Sequence, residues 1–171
     1  MRLIVFSGLP GTGKSTMAET LGKQLGIPVF AKDWLEATLV KNGLKPAADS
    51  KSLGFIGYEL MTVLAERQFI LEQSVILDSV AGLRLIQDAW SQLAERYGAN
   101  LRVIECICSD ETIHRSRLTD RKRNIPGWHE LEWSEVERVR QYYSSWEGER
   151  LVLDMVQSFD ENLLKARKYC E

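Results

Sequence analysis

Short runs rich in aliphatic and β-branched residues alternate along this chain with longer stretches whose apolar positions recur every three or four residues. The runs predict strands over RLIVFS (2–7), IPVFA (27–31), SVILD (74–78), LRVIECIC (101–108) and LVLD (151–154). The longer stretches predict helices over 14–25, 33–42, about 54–72, 83–97, 110–121, 135–146 and 159–169. Within 83–97, Leu83, Ile86, Ala89, Trp90, Leu93, Ala94 and Tyr97 form one stripe, which assigns Trp90 to the core. Ser134 with Glu137 and Ser158 with Glu161 carry the spacing of a capping box and mark two helix starts. Residues 43–52 and 122–133 fit neither period. Strands alternating with helices in this way predict an α/β fold around a parallel five-stranded sheet.

Composition narrows the picture. At 171 residues, 44% hydrophobic and 27% charged, the chain suits a single domain spanning 1–171. Its 22 Lys and Arg against 24 Asp and Glu leave a net charge of −2, so no global field draws in nucleic acid or an anionic membrane, and any anion site must be local. Cys106 and Cys108 lack the spacing of a metal or redox pair, share one strand face and are expected as core filler; with Cys170 they make three cysteines that cannot all pair within one chain, which suits a reducing cytoplasm. The apolar run Leu3 to Phe6, broken at once by Ser7-Gly8, is expected to be a buried strand and neither a signal segment nor a membrane span.

The chemistry is concentrated after that first strand. Gly8-Leu9-Pro10-Gly11-Thr12-Gly13-Lys14-Ser15 fits G-x-x-x-x-G-K-[ST], between a predicted strand and a predicted helix. Glycines at 8, 11 and 13 let the main chain bend around one concavity, to which the following helix adds its positive end. Lys14 then meets the β- and γ-phosphates, the Ser15 hydroxyl ligates Mg²⁺, and Thr16 reaches the α-phosphate.

At these residues the chain resembles the P-loop NTPases, in their small-molecule kinase and AAA-like ATP-binding branch: chloramphenicol phosphotransferase, shikimate and gluconate kinases, zeta-type toxins and polynucleotide kinases. It has no guanine-reading N-K-x-D segment, and it is too short for the large AAA machines. The resemblance implies strand order 2-3-1-4-5, ATP and Mg²⁺ as cofactors, and a short helical lid over about 117–134. It also implies that Asp33, where the second strand gives way to a helix, is the general base toward an acceptor hydroxyl. Read from the residues alone, Asp33 with Glu36 equally fits a helix cap. Asp78, ending the third strand, stands where a Walker-B aspartate would hold Mg²⁺ or its waters. Relatives divide these two jobs differently, so which aspartate serves the metal stays open.

Arg115, Arg117, Arg121, Lys122 and Arg123 crowd one segment. Arg117 and Arg121, four apart, share a helix face, and by the resemblance they are the lid arginines closing over the γ-phosphoryl group. The competing reading is a solvated face paired with Asp110, Glu111 or Asp120, and it is preferred for Lys122 and Arg123. His114 and His129 receive no role, and Trp128 and Trp133 are expected to pack the lid. The expected partners are ATP and a small-molecule alcohol, with the protein a monomer or weak homodimer. The acceptor side, 43–72 and 79–90, offers Tyr58, Glu59 and Arg84 without a basic stripe, so a nucleic-acid 5′-hydroxyl fits less well. A regulatory module that binds or slowly hydrolyses ATP, and a toxin or nucleic-acid end kinase, are the alternatives.

Overall fold

A computed structural model describes residues 1–44, 53–120 and 122–171. Its strands are β1 (Arg2–Ser7), β2 (Val29–Ala31), β3 (Val75–Asp78), β4 (Asn100–Ile107) and β5 (Leu151–Asp154). They form one sheet in the order β2-β3-β1-β4-β5, and every pairing is parallel. The helices are α1 (Lys14–Leu25), α2 (Lys32–Lys41), α3 (Leu53–Ile70), α4 (Arg84–Arg96), α5 (Glu111–Asp120), α6 (Trp133–Arg140) and α7 (Phe159–Cys170). No helix of the described residues is long and apolar enough to cross a membrane.

The strands are apolar on both faces because both are covered. Leu3, Val5, Val75, Leu77 and Val103 meet Tyr58, Met61, Ala65 and Phe69 of α3 and Ile86, Trp90 and Leu93 of α4. On the other face, Ile4, Phe6, Ile76, Ile104 and Leu153 meet Met17, Ala18 and Leu21 of α1 and Leu163 and Ala166 of α7. Trp90 is fully buried, and its indole N–H donates to Thr62 Oγ1 at 2.9 Å, so the ring enters the core without an orphaned donor. Cys106 and Cys170 are buried, and burial pushes the Cys106 thiol up to about 12; Cys108, just past β4, is only partly covered.

The largest departure from the sequence pattern is at one helix. The helix expected over 135–146 begins at Trp133 and stops at Arg140. Glu132 and Glu135 close its first turn, with Glu135 Oε2 accepting from the Glu132 N–H at 3.1 Å, so Ser134 lies inside the helix instead of capping it. Beyond Arg140 the chain is diverted by remote partners. The Ser144 N–H donates to the Gly82 carbonyl at 2.8 Å, and Gln87 Nε2 donates to the Ser144 carbonyl at 2.7 Å. At the other proposed start, Ser158 does cap α7, its hydroxyl accepting from the Glu161 N–H at 3.5 Å.

Register brings the chemistry to one edge. Phe6 lies beside Asp78 on one side and Ile104 on the other, so the segment leaving β1 and the end of β3 emerge together at the carboxyl edge of the sheet.

Gly22, inside α1, is where that helix touches β2. A Cβ there would stand 2.4 Å from Val29 Cγ2 and 3.0 Å from the Ile27 carbonyl oxygen. Helix propensity favours alanine by up to about 1 kcal/mol, but overpacking costs about 1–3 kcal/mol. Gly22→Ala is therefore expected to lower stability in urea unfolding, whereas a gain would mean that α1 shifts freely on the sheet.

Candidate functional site

The turn from β1 into α1 is bent at glycines that cannot be replaced without movement. Gly8 has φ 137°, and a Cβ on it would stand 2.2 Å from the Cys106 carbonyl oxygen. Gly11 has φ 80°, and a Cβ there would lie 2.7 Å from Leu118 Cδ2. The Gly8 N–H donates to the Val80 carbonyl at 3.2 Å, tying the loop to the segment after β3. Thr12 Oγ1 and Lys14 Nζ both turn to the Leu9 carbonyl, at 2.9 and 3.3 Å. The Thr12 hydroxyl thus braces the loop from within, and Lys14, itself mostly buried, lies along it as a cation that an incoming phosphate can claim.

The loop separates two hollows. The first, about 250 Å³, is lined by the polar groups of Lys14, Ser15, Asp33, Asp78, Ser79 and Arg123, with Pro10, Trp34 and Leu131 among its apolar walls. The second, about 480 Å³, lies against Gly11, Gly13, Thr16, Arg117, Met155 and Phe159. The sequence-predicted residues Lys14, Ser15, Asp33 and Asp78 therefore share one cavity. Arg117 stands in the other hollow, where its Nη2 donates to the Met155 carbonyl at 2.8 Å. Arg121 lies outside the described residues.

Asp33 is not the cap of its helix. The cap position is Ala31, and Asp33 lies in the first turn of α2, where the helix dipole favours an anion. Its expected capping partner, Glu36, is buried and paired with Lys32; burial raises the Glu36 carboxyl above its usual range, and Lys32 opposes that rise. Asp33 instead accepts from Arg123 Nη1 at 2.6 Å. The side chain of Arg123 is only 5% exposed; Glu130 Oε2 lies 3.5 Å from its Nε, and the His129 carbonyl accepts from its Nη2. Arg123, assigned to solvent from the sequence, is thus the buried arginine beside Asp33. The segment carrying it has no helical period to reveal which of its cations turns inward.

A second residue missed in the sequence is His114. It is buried on α5, with Nε2 2.8 Å from the Pro10 carbonyl. A carbonyl only accepts, so Nε2 carries the proton and the imidazole braces the loop as a donor. Burial lowers the His114 pKa, the Pro10 bond opposes that shift, and Arg140, Lys14 and Arg117 reinforce it. One sequence signal existed, since His114 and Leu118 are four apart on one helix face and both meet Gly11. Trp133 packs edge-on to His114 at 5.1 Å, with Arg115 3.9 Å from its ring, as expected of a residue packing the segment.

Ser15 and Asp78 offer hard oxygen donors, and among the described residues no group of three or more His, Cys, Asp or Glu could hold a metal by itself. That donor set fits a cation completed by phosphate and water oxygens, as Mg²⁺ is.

Residues 3–145 match the AAA_33 family, an AAA domain. The chain belongs to that family. No curated protein matches this AAA-domain chain. Among solved structures it is similar to a sugar kinase from a Janibacter species, at 16% identity over 99% of this chain and 94% of the other, with a TM-score of 0.74. It is also similar to a gluconokinase from Sinorhizobium meliloti, at 18% identity over 98% and 90%, TM-score 0.70. A third likeness is to Chaetomium thermophilum Kti12 in complex with ADP-AlF3, at 17% over 98% and 96%, TM-score 0.73. At these identities the likeness establishes the fold, that of the P-loop kinases, with the strand order described above.

The brace from His114 gives this AAA-domain protein a pH signature. Because the folded pKa lies below the unfolded value of about 6.5, the neutral imidazole's contribution is complete above that pH and is lost as pH falls toward the folded pKa. Urea unfolding at pH 7.5 and pH 5 is expected to show a loss that His114→Gln, which keeps an N–H donor but cannot titrate, does not share. Equal losses in both proteins would remove the assignment.

Proposed function

We propose that this protein is an ATP-dependent kinase transferring the γ-phosphoryl group to a hydroxyl of a small molecule. The observation that carries the reading is the single cavity in which Lys14, Ser15, Asp33, Asp78 and Arg123 converge. In this reading the glycine-bent loop and the start of α1 bind the triphosphate, and Lys14 leaves the Leu9 carbonyl for the β- and γ-phosphates. Ser15 and Asp78 would hold Mg²⁺ or its waters, and the ion when bound would neutralise part of the phosphate charge.

Asp33 accepts the proton of the acceptor hydroxyl as that oxygen bonds to the γ-phosphorus. The bond from phosphorus to the β–γ bridging oxygen breaks, and ADP leaves. Arg123, already beside Asp33, holds the carboxylate in place and presents its guanidinium to the transferring group. Arg117 serves the nucleotide from the second hollow, where Phe159 offers an apolar ring face. Arg121 keeps the role proposed for a lid arginine. Expulsion of water from a cavity of about 250 Å³ protects the phosphoryl group from hydrolysis.

A small polar acceptor suits that volume, and the similarity to sugar and gluconate kinases supports a hydroxylated metabolite. Location in the cytoplasm accords with the free thiols. A second reading is a nucleotide-binding module that transfers no phosphate, supported by the engagement of Asp33 by Arg123 and the likeness to Kti12.

The two readings separate in a screen of ADP release across metabolite alcohols, nucleosides, aminoglycosides and 5′-hydroxyl oligonucleotides. The kinase reading expects acceptor-stimulated release, a loss of about 10²-fold or more in kcat for Asp33→Asn with little change in KM for ATP, and a comparable loss for Arg123→Met. An Asp33→Asn protein that keeps its rate on a found acceptor removes the base. ATP binding with no stimulation by any acceptor favours the second reading.

A further inference from the structure

The segment between α6 and β5 carries a chain of hydroxyl groups that the proposed reaction does not use. Tyr143, partly buried, lays its ring against Gly82, where a Cβ would stand 2.4 Å from Tyr143 Cδ2. Its hydroxyl donates to Glu105 Oε1 at 2.6 Å and lies 3.0 Å from Ser7 Oγ. Ser7 and Glu105 are buried register partners on β1 and β4, and Arg150 Nε donates to the other Glu105 oxygen at 2.7 Å. Each hydroxyl has one proton to give. That of Tyr143 goes to the carboxylate, the shorter and charge-assisted contact, so the Tyr143 oxygen is left to accept from Ser7. Ser7 also donates to the Val80 carbonyl at 2.9 Å, and the same carbonyl takes the Gly8 N–H. One Ser7 proton is therefore shared between two acceptors, and with either of them the Ser7 hydroxyl stays between Tyr143 and Val80.

The turn that presents the Val80 carbonyl is strained. Its next residue, Ala81, has φ 46°, a left-handed conformation that costs a residue with a Cβ about 1 kcal/mol or more. Such a conformation persists only where its surroundings impose it. Here the Ala81 N–H donates to the Tyr58 hydroxyl at 3.2 Å, and Gln87 Nε2 donates to the Ala81 carbonyl at 3.0 Å. From the other side the Ser144 N–H donates to the Gly82 carbonyl at 2.8 Å, and the Tyr143 ring covers Gly82. Of these four ties, the one through Tyr143 also reaches β1, at the residue before the phosphate loop. The Val80 carbonyl lies in the peptide plane adjoining the strained φ of Ala81. Relaxation of that angle turns the carbonyl away from Gly8, and the bend of the loop loses its partner.

We infer that Tyr143 is a positioning residue for the phosphate loop: its ring and hydroxyl hold the strained turn at Ala81, and that turn keeps the Val80 carbonyl on the Gly8 N–H. Arg150, on the other oxygen of the same carboxylate, steadies Glu105 without touching the turn. The two side chains thus share Glu105 but differ in what they set, Tyr143 the shape of the loop and Arg150 the stability of the sheet edge. As a statement about nucleotide affinity the inference rests on the triphosphate reading of the loop; as a statement about the shape of the empty loop it does not.

Hydrogen exchange read by NMR at Gly8 and the loop amides of nucleotide-free protein is expected to quicken about tenfold in Tyr143→Phe and to stay as in wild type in Arg150→Met. Calorimetric titration with Mg²⁺ and either a nonhydrolysable ATP analogue or inorganic tripolyphosphate is expected to show Tyr143→Phe weakened about three- to tenfold toward both probes. Arg150→Met is expected to bind as wild type does, although urea unfolding shows both variants destabilised, because each leaves a buried Glu105 oxygen without its donor. Adding Ser7→Ala to Tyr143→Phe is expected to cost less affinity than the two single losses multiplied, since both break one chain. Ala81→Gly, at home at positive φ, is expected to return slow exchange and affinity to Tyr143→Phe without giving Glu105 back its partner. Loop protection equal in Tyr143→Phe and wild type, equal effects of Tyr143→Phe and Arg150→Met on the loop, or no rescue by Ala81→Gly would each overturn the inference. Wild-type protein that binds neither probe would remove the triphosphate reading, and the exchange rates would then decide the inference by themselves.

Discussion

The nucleotide site depends on the main chain between β1 and α1 staying in a bend that side chains would forbid. Gly8 passes so close to the Cys106 carbonyl that a methyl group would overlap it, and Gly11 passes less tightly but still closely under Leu118. The bend is held by neighbours and not by the loop alone: the Val80 carbonyl takes the Gly8 N–H, and His114 donates to Pro10. Three elements, β4, α5 and the segment after β3, therefore set the shape of a loop that belongs to none of them. Rigidity of this kind is what makes a ring of amides an anion site, since donors that need not reorganise lose nothing when a phosphate arrives.

Around that loop the charges divide by side. Toward β3 and α2 lie the carboxylates of Asp33 and Asp78, the hydroxyls of Ser15 and Ser79, Lys14 and Arg123, the mixture that the proposed phosphoryl transfer to a hydroxyl asks for. Toward α5 and β5 lie Arg117 and the apolar surfaces of Met155 and Phe159. The sheet produces this division: its parallel strands end at one edge, and β1 lies between β3 and β4, so whatever follows β1 has a chamber on either side.

How much of this the sequence disclosed follows from the range over which each feature is determined. The cradle is contiguous, and its strand, glycines, Lys14 and Ser15 were legible together. The sheet order came with the resemblance those residues carry. That Asp33 and Asp78 come to the carboxyl edge of the sheet was legible, because Asp78 ends a strand run and Asp33 follows two residues after another. Arg123 was not, because its burial depends on Asp33, ninety positions away in the chain, and on the path of a segment with no helical period. His114 was hidden for the same reason, its partner lying 104 positions away. The early end of α6 likewise reflects Gly82 and Gln87, which no local pattern near residue 140 announces.

In the proposed function, the backbone loop closed by Lys14 grips a nucleoside triphosphate together with a divalent cation. Calorimetric titration of a nonhydrolysable ATP analogue with Mg²⁺ into folded protein tests it most directly. A saturable one-to-one isotherm is expected, which Lys14→Ala weakens severely without unfolding the protein. Absence of binding heat from folded wild-type protein across several temperatures would contradict it.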